Sequence, residues 1–137
     1  MSLLASVLEA KHVYLIGNGG SYANAQHIAN DLVAHGIRAY TLDAAALTAS
    51  ANDYGYDTVF SRWIEAIGEK GDLLIALSGS GKSLNILYAC SAADKIGMSV
   101  WREFGAEQGL DMQQAEEAQL RLGHELMKGL RCESSSG

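Results

Sequence analysis

The sequence predicts an α/β fold in which one central parallel sheet lies between two layers of helices. Short apolar runs alternate with segments of helical periodicity along the chain, and glycine-rich polar segments follow the first and third runs. This alternation is typical of right-handed βαβ units, and a length of 137 residues fits one domain. We therefore expect a single three-layer α/β/α domain over residues 1–137, with four or five strands.

Four apolar runs supply the predicted strands. They are HVYLIG at residues 12–17, IRAYTL at 37–42, DLLIAL at 72–77 and, less distinctly, MSVW at 98–101. Each is short and rich in β-branched, aromatic or leucine side chains, as buried strands are. Since a helical segment separates each run from the next, the strands are expected to be parallel.

Helical periodicity fills the segments between the strands. Helices are predicted over residues 2–10, 22–35, 59–67, 83–96 and 112–131. For the helix at 83–96 the expected buried face is Leu84, Leu87, Tyr88 and Ala92. The polar residues 132–137 are expected to form a disordered tail.

Composition excludes several classes of protein. The net charge of −6 argues against a surface that coats nucleic acid. No apolar run approaches the roughly 18 residues of a membrane span, and the first ten residues lack the basic start of a secretion signal. Cys90 and Cys132 lie far apart and fit reduced thiols. The sequence thus predicts a cytoplasmic protein without a nucleic-acid or membrane partner.

The segment SGSGKS at residues 78–83 ends like a nucleotide-binding P-loop but does not match one. A P-loop requires glycine at residue 76, where Ala76 stands. The segment GNGGS at residues 17–21 likewise fails the dinucleotide motif, because Tyr22 occupies the place of its last glycine. Nucleotide binding is therefore disfavoured at both segments.

Hydroxyl groups at the start of a helix suit a single phosphate. Ser78, Ser80 and Ser83 lie within six residues, where glycines let backbone N–H groups turn inward and the helix dipole favours an anion. A serine-rich helix cap and turn explains the same residues without a ligand. The first loop favours the phosphate, since Ser21 also opens a helix there and two such loops would converge on one ligand.

Four longer segments together resemble a known family. GNGGSYANAQHIANDL, ALTASANDYGYDTVF, GDLLIALSGSGKSLNIL and AADKIGM are similar, in this order, to the SIS (sugar isomerase) domain and its phosphoheptose isomerase branch. The resemblance implies an SIS-type sheet of flavodoxin-like topology. It also implies interconversion of sedoheptulose 7-phosphate and D-glycero-D-manno-heptose 7-phosphate through an enediol.

The resemblance has limits in the second half of the chain. A stretch that the family carries between the fourth strand and the last helix has no counterpart here, so the C-terminal part is shortened. The family forms homo-oligomers, dimers or tetramers, with active sites at subunit interfaces. A non-catalytic phosphosugar-binding or protein-interaction module, of the kind that binds a replication initiator, is the alternative function.

The family's substrate-binding positions fall on two loops and one further element. They are Asn18, Gly19, Gly20, Ser21, Asn52, Asp53, Ser78, Gly79, Ser80 and Ser83. Asn52 and Asp53 could equally form an Asx turn. Gly79 stands where the family has threonine, and Lys82 where it has asparagine. Lys82 either adds a cation to the phosphate or points to solvent.

Isomerisation also requires a base and a group that moves protons on the oxygens. His27 and Asp31 are spaced i, i+4 and share one helix face. The resemblance makes Asp31 the base, one methylene shorter than the family's glutamate, and His124 the second catalytic residue. Placing His124 on the family's histidine puts Glu116 on its glutamine. His27, Asp31, Glu116 and His124 would then form an N/O metal set for Zn²⁺, although His27–Asp31 could be an ordinary surface pair and His124 a surface histidine.

Overall fold

A computed structural model describes residues 1–136 and contains a four-stranded parallel sheet. The strands are β1 (Val13–Ile16), β2 (Ala39–Thr41), β3 (Leu73–Ser78) and β4 (Ser99–Phe104), in the order β2-β1-β3-β4. Because the chain adds β2 on one side of β1 and β3 on the other, the topology switches between β1 and β3. Ligands of such sheets bind outside the carboxyl ends of the strands at this switch. The predicted α/β fold is confirmed.

Six helices connect or flank the strands. They are α1 (Leu3–Glu9), α2 (Gly20–Ala34), α3 (Ala44–Tyr54), α4 (Val59–Ile67), α5 (Leu84–Ile96) and α6 (Met112–Ser136). Single 3-10 turns lie at Tyr56–Thr58 and Gly105–Gln108. None of the helices within residues 1–136 is both long and apolar enough to cross a membrane.

Two apolar cores cover the two faces of the sheet. On one face, α1, α2 and α6 pack against alternate strand residues such as Leu15 and Ile75. On the other face, α4 and α5 pack against the intervening residues such as Ile16 and Leu74. The strands β1 and β3 are buried along their whole length, as expected for a parallel sheet that is covered on both sides.

Two local predictions were wrong. Helix α6 continues to Ser136, so residues 132–136 are helical instead of forming a tail, and Gly137 lies outside the described residues. The buried face of α5 is formed by Asn85, Ile86, Ala89, Cys90, Ala92 and Ala93. Of the residues predicted to be buried there, only Ala92 is, because the helix turns Leu84, Leu87 and Tyr88 toward solvent.

Candidate functional site

The loops after β1 and β3 lie side by side at the topological switch and enclose a small cavity. This cavity, the serine pocket, measures about 60 Å³. Its lining residues are Asn18, Ser21, Leu77, Ser78, Gly79, Ser80, Ser83 and Met112. Six of these were predicted as substrate-binding residues from the two loops, and the structure brings them together around one space.

Two serine hydroxyls hold the β3–α5 loop in shape. The Ser78 Oγ accepts a hydrogen bond from the Gly81 backbone N–H at 2.9 Å, and the Ser80 Oγ accepts one from the Lys82 N–H at 3.1 Å. Each hydroxyl accepts in these bonds, so its own hydrogen remains to be donated to a ligand oxygen. Ser83 occupies the N-cap position of α5 but makes no side-chain capping bond. All three hydroxyls line the pocket at the positive end of α5, where each can donate to an anion.

Asn18 is braced by neighbours from two other elements. Its Nδ2 donates to the Asn85 Oδ1 at 2.8 Å, and the Asn85 Nδ2 donates back to the Asn18 Oδ1 at 2.9 Å. The Tyr56 hydroxyl donates to the same Asn18 oxygen. Asn85 is buried, so these bonds satisfy an amide that would otherwise be costly to bury. The brace joins the β1–α2 loop to the first turn of α5 across the switch.

Helix α6 covers the start of α2 with polar side chains. The buried Gln119 donates from Nε2 to the Ser21 Oγ at 3.0 Å, and its Oε1 accepts from the Asn24 Nδ2 at 2.9 Å. One turn earlier, the Glu116 carboxyl group lies so close to Gly20 that a Cβ there would be 2.4 Å from its Cδ. A side chain at position 20 would therefore displace this carboxylate from its place over the start of α2.

Further along the same two helices, His27, Asp31 and His124 form a second polar group. The His27 Nε2 lies 3.3 Å from the Asp31 Oδ2, and the His27 and His124 rings are 5.7 Å apart between centroids. One ligand atom from each of the three residues lies within 4.8 Å of the others. We call these residues the His–Asp group. Two imidazoles and one carboxylate form a donor set that suits a divalent ion with an open coordination position.

Gly123 brings α6 close enough for this contact. A Cβ at position 123 would lie 2.6 Å from the Ile28 Cγ1, so the two helices approach within a distance that a side chain would prevent. Glu116 contacts Gly20, Gly123 contacts Ile28, and α6 therefore runs alongside α2 in the same direction. The next residue, His124, is carried to His27 by this packing.

Five predicted site residues line neither the serine pocket nor the His–Asp group: Gly19, Gly20, Asn52, Asp53 and Glu116. Gly19 lines a separate hollow behind the first loop, and Gly20 lies beneath Glu116. Glu116 sits over Gly20, about two helical turns before His27 on α2, so the structure places it apart from the His–Asp group. Asn52 and Asp53 lie in the last turn of α3, exposed, with the Asn52 Nδ2 donating to the Asp53 Oδ1 at 3.1 Å. They line neither the serine pocket nor the His–Asp group, and they form part of a helix and not an isolated turn.

Two further hollows adjoin the site. A cavity of about 230 Å³ lies behind the first loop and is lined by Gly17, Asn18, Gly19, Tyr22, Ala44, Leu47, Thr48 and Tyr56. Tyr22 forms one of its walls and donates its hydroxyl to the Leu42 carbonyl. Burial raises the pKa of the Tyr22 phenol, and the nearby Asp43 adds to the effect. A groove of about 550 Å³ beside the His–Asp group is lined by Asp31, His35, Arg121, His124, Glu125, Met127, Lys128 and Arg131.

Sequence reasoning missed Asn85, Gln119, Tyr56 and Met112. Asn85 and Gln119 are amides at helix positions that the fold buries. Since the predicted buried face of α5 did not include Asn85, no pattern in the sequence marked it. Met112 was the first residue of a correctly placed helix, but its position over Gly79 depends on tertiary packing. Tyr56 reaches Asn18 across 38 positions of sequence, which no local pattern reports.

Comparison with known sequences identifies the family. The model of the SIS domain matches residues 1–101. A phosphoheptose isomerase of Campylobacter concisus is 50% identical over 99 residues, which cover 66% of this chain and 52% of that protein. One from Burkholderia pseudomallei is 48% identical over 104 residues, covering 70% of this chain and 53% of that protein. The chain thus spans about half the length of these curated relatives.

Comparison with solved structures agrees. The structure of phosphoheptose isomerase GmhA from Neisseria gonorrhoeae is similar with a TM-score of 0.85 and 30% sequence identity. The match covers 95% of this chain and 81% of that one, so it includes α6 as well as the sheet. The chain therefore belongs to the SIS domain family, in its phosphoheptose isomerase branch.

Proposed function

We propose that this protein is an aldose–ketose isomerase of phosphorylated sugars that interconverts sedoheptulose 7-phosphate and D-glycero-D-manno-heptose 7-phosphate. The observation that carries the proposal is the arrangement along α2. The serine pocket lies at the beginning of this helix, and the His–Asp group lies further along it. One helix thus joins a phosphate-sized pocket to groups that can transfer protons.

The spacing along α2 fits a long sugar. Ser21 precedes His27 by six residues and Asp31 by ten, which corresponds to about 9 Å and 15 Å along a helix. An extended chain advances about 1.2 Å per bond, so the eight bonds from C1 to the phosphorus of a heptose 7-phosphate span about 10 Å. With the phosphate in the serine pocket, C1 and C2 of the open chain would reach the level of His27, and the Asp31 side chain, which tilts toward the start of the helix, would approach them from the next turn. A three-carbon sugar phosphate would not reach this level.

The proposed reaction moves hydrogen without net oxidation. The Asp31 carboxylate removes the proton from the carbon next to the carbonyl, and the electrons of the C–H bond form the enediol double bond. The same proton, or one from solvent, is then added to the neighbouring carbon. His124 transfers the hydroxyl proton of one oxygen to the other, since imidazole donates at one nitrogen and accepts at the other.

The residues present also fit a divalent ion. His27, Asp31 and His124 would hold it, and Glu116 would not take part, since the structure places it over Gly20. A bound Zn²⁺ polarises a carbonyl oxygen as a Lewis acid. The chain's own contribution is to fix the three donors on two helices that pack closely at Gly123.

We further propose that the protein acts as a homo-oligomer, a dimer or tetramer, in the cytoplasm. Leu84, Leu87 and Tyr88 form an exposed apolar patch on α5, and contiguous apolar patches mark interaction sites. The His27 and Asp31 side chains are 51% and 31% exposed in the single chain, so a second copy would complete the enclosure that proton transfer at carbon requires.

A non-catalytic sugar-phosphate-binding module is the second candidate function. The exposure of the His–Asp group favours it, because the His27 and Asp31 side chains are 51% and 31% exposed. A base this open to water is poorly suited to remove a proton from carbon. The serine pocket would still bind the phosphate in that case.

Turnover of sedoheptulose 7-phosphate by the purified protein, with and without added Zn²⁺, separates the two functions. The isomerase predicts formation of the aldose, abolished by Asp31→Asn and His124→Ala. Stabilisation against heat by the sugar phosphate without turnover under either condition would overturn the isomerase and support the binding module. His35→Ala is the matched control for His124→Ala, since His35 lines the same groove but lies outside the His–Asp group.

A further inference from the structure

The serine pocket offers hydrogen bonds but no charge. None of its eight lining residues carries a charged side chain. A phosphate monoester carries about −1.5 to −2 charges at neutral pH, and the chain has a net charge of −6. In addition, the Glu116 carboxylate lies over Gly20, next to the Ser21 that lines the pocket. The phosphate would therefore meet electrostatic repulsion that the hydroxyls and the α5 dipole only partly offset.

Lys82 is the cation placed to offset this repulsion. It lies on the β3–α5 loop between Ser80 and Ser83, both of which line the pocket. Its backbone N–H is fixed by the Ser80 Oγ at 3.1 Å. Its side chain is exposed and makes no hydrogen bond or ion pair within residues 1–136. The Lys82 side chain thus extends from a fixed backbone position at the edge of the pocket, and within residues 1–136 its ammonium group is not paired with a carboxylate.

We propose that Lys82 closes over the bound phosphate and makes the serine pocket selective for dianionic phosphate monoesters. This inference rests on the proposed function, since it concerns the same pocket. The ammonium donates to a phosphate oxygen that faces away from the serines, while the serine hydroxyls and the α5 N-terminus hold the others. A sugar sulfate of the same length carries a single negative charge and gains less from Lys82.

Binding of inorganic phosphate to the full chain tests the proposal without any turnover. Calorimetric titration at pH 8 and low ionic strength compares the wild type with Lys82→Met. We expect the dissociation constant to rise roughly five- to twentyfold, as for loss of one charge-assisted hydrogen bond. Lys82→Arg should retain most of the affinity. Lys95→Met is the matched control, because it removes the same charge from an exposed lysine in the last turn of α5, at the far end of that helix from the pocket.

A second measurement identifies the charge effect itself. The wild type should bind methyl phosphate, a dianion at pH 8, more tightly than methyl sulfate, a monoanion, and Lys82→Met should lose most of this preference. Equal phosphate affinity in Lys82→Met, Lys95→Met and the wild type would overturn the proposal. If Lys82→Met binds phosphate more weakly but the wild type isomerises no sugar phosphate, the role of Lys82 is kept and the proposed reaction is overturned. If Lys82→Met turns over the sugar phosphate with an unchanged KM, the proposed reaction is kept and the role of Lys82 is overturned.

Discussion

The two ends of α2 differ in how firmly the chain holds them. At its start, Ser21 and Ser78 are buried, and Asn18 is tied to Asn85 and Tyr56. Further along, the His27 and Asp31 side chains are 51% and 31% exposed and contact each other at 3.3 Å. The proposed phosphate end is held by buried hydrogen bonds, including the one that Gln119 of α6 donates to Ser21, whereas the proposed proton-transfer end is exposed and depends on His124 of α6 lying next to His27.

This difference follows from burial. A buried polar group must be paired, because an unpaired one costs about 1–3 kcal/mol, so the loops at the sheet edge are fixed by their own hydrogen bonds. A carboxylate that accepts a proton must instead reach its substrate. When it is exposed, water satisfies its oxygens, so it needs no fixed hydrogen-bond partner in the protein. Substrate binding and proton transfer should therefore respond separately to substitution.

The largest expected effect is at the proton-transfer end. Asp31→Asn should lower kcat for sedoheptulose 7-phosphate by about 10²- to 10⁴-fold, because the amide cannot accept the proton. The affinity for inorganic phosphate should not change. Asp31→Glu, which keeps the carboxylate, is the control and should remain active. A kcat within threefold of wild type in Asp31→Asn would exclude this residue as the base.

At the phosphate end, Ser78→Ala should reverse the pattern. It removes a buried hydroxyl that fixes the Gly81 N–H and one donor to the phosphate, so the dissociation constant of phosphate should rise about tenfold or more. Ser91→Ala, an exposed serine on α5, should change nothing. Calorimetric titration measures both variants, and unchanged phosphate affinity in Ser78→Ala would place the phosphate elsewhere.

Gly123→Ala tests the link between α6 and the His–Asp group. The added methyl would meet the Ile28 Cγ1 at 2.6 Å, and overpacking of this kind typically costs about 1–3 kcal/mol. We expect lower thermal stability and a severalfold lower kcat, because His124 moves away from His27. Combining it with Ile28→Ala should recover part of the kcat, as residues in contact are coupled. Independent effects of the two substitutions on kcat would contradict this packing.

The smallest effect is expected at Tyr22. Tyr22→Phe removes the hydrogen bond to the Leu42 carbonyl and should reduce the free energy of unfolding by about 1 kcal/mol at neutral pH. Burial raises the pKa of this phenol above its usual value of 10.0. The wild type should therefore keep this contribution up to about pH 10 and lose it as the pH rises through the higher folded value. Urea unfolding of both proteins from pH 7 to 9 should show a constant difference.

The sequence predicted the elements that local patterns encode. The strand runs and the glycine–serine loops follow short-range rules, and these placed the serine pocket. The buried face of α5 was predicted wrongly, because Leu84, Leu87 and Tyr88 are apolar at helical spacing yet face outward, whereas Asn85 is buried against Asn18. Periodicity cannot distinguish a core face from an exposed patch of the same spacing. The neighbouring elements decide which of the two a helix buries.

The alignment of α6 with α2 shows the same limit. His124 was placed by the resemblance of the last helix to the family's, and Glu116 by its spacing of eight residues from His124. The close approach of the helices at Gly123 is what brings His124 to His27. Glu116 lies over Gly20 and away from His27. Two residues eight apart on one helix are about 12 Å apart and therefore contact different parts of a neighbouring helix.

The most direct test of the account is kcat/KM for ketose phosphates of increasing length. The central claim is that the two ends of α2 act on one molecule whose phosphate and carbonyl are about 10 Å apart. We expect kcat/KM to rise from five- to six- to seven-carbon ketose phosphates, and dihydroxyacetone phosphate to be bound without turnover. Equal kcat/KM across the series, or turnover of the three-carbon compound, would contradict it.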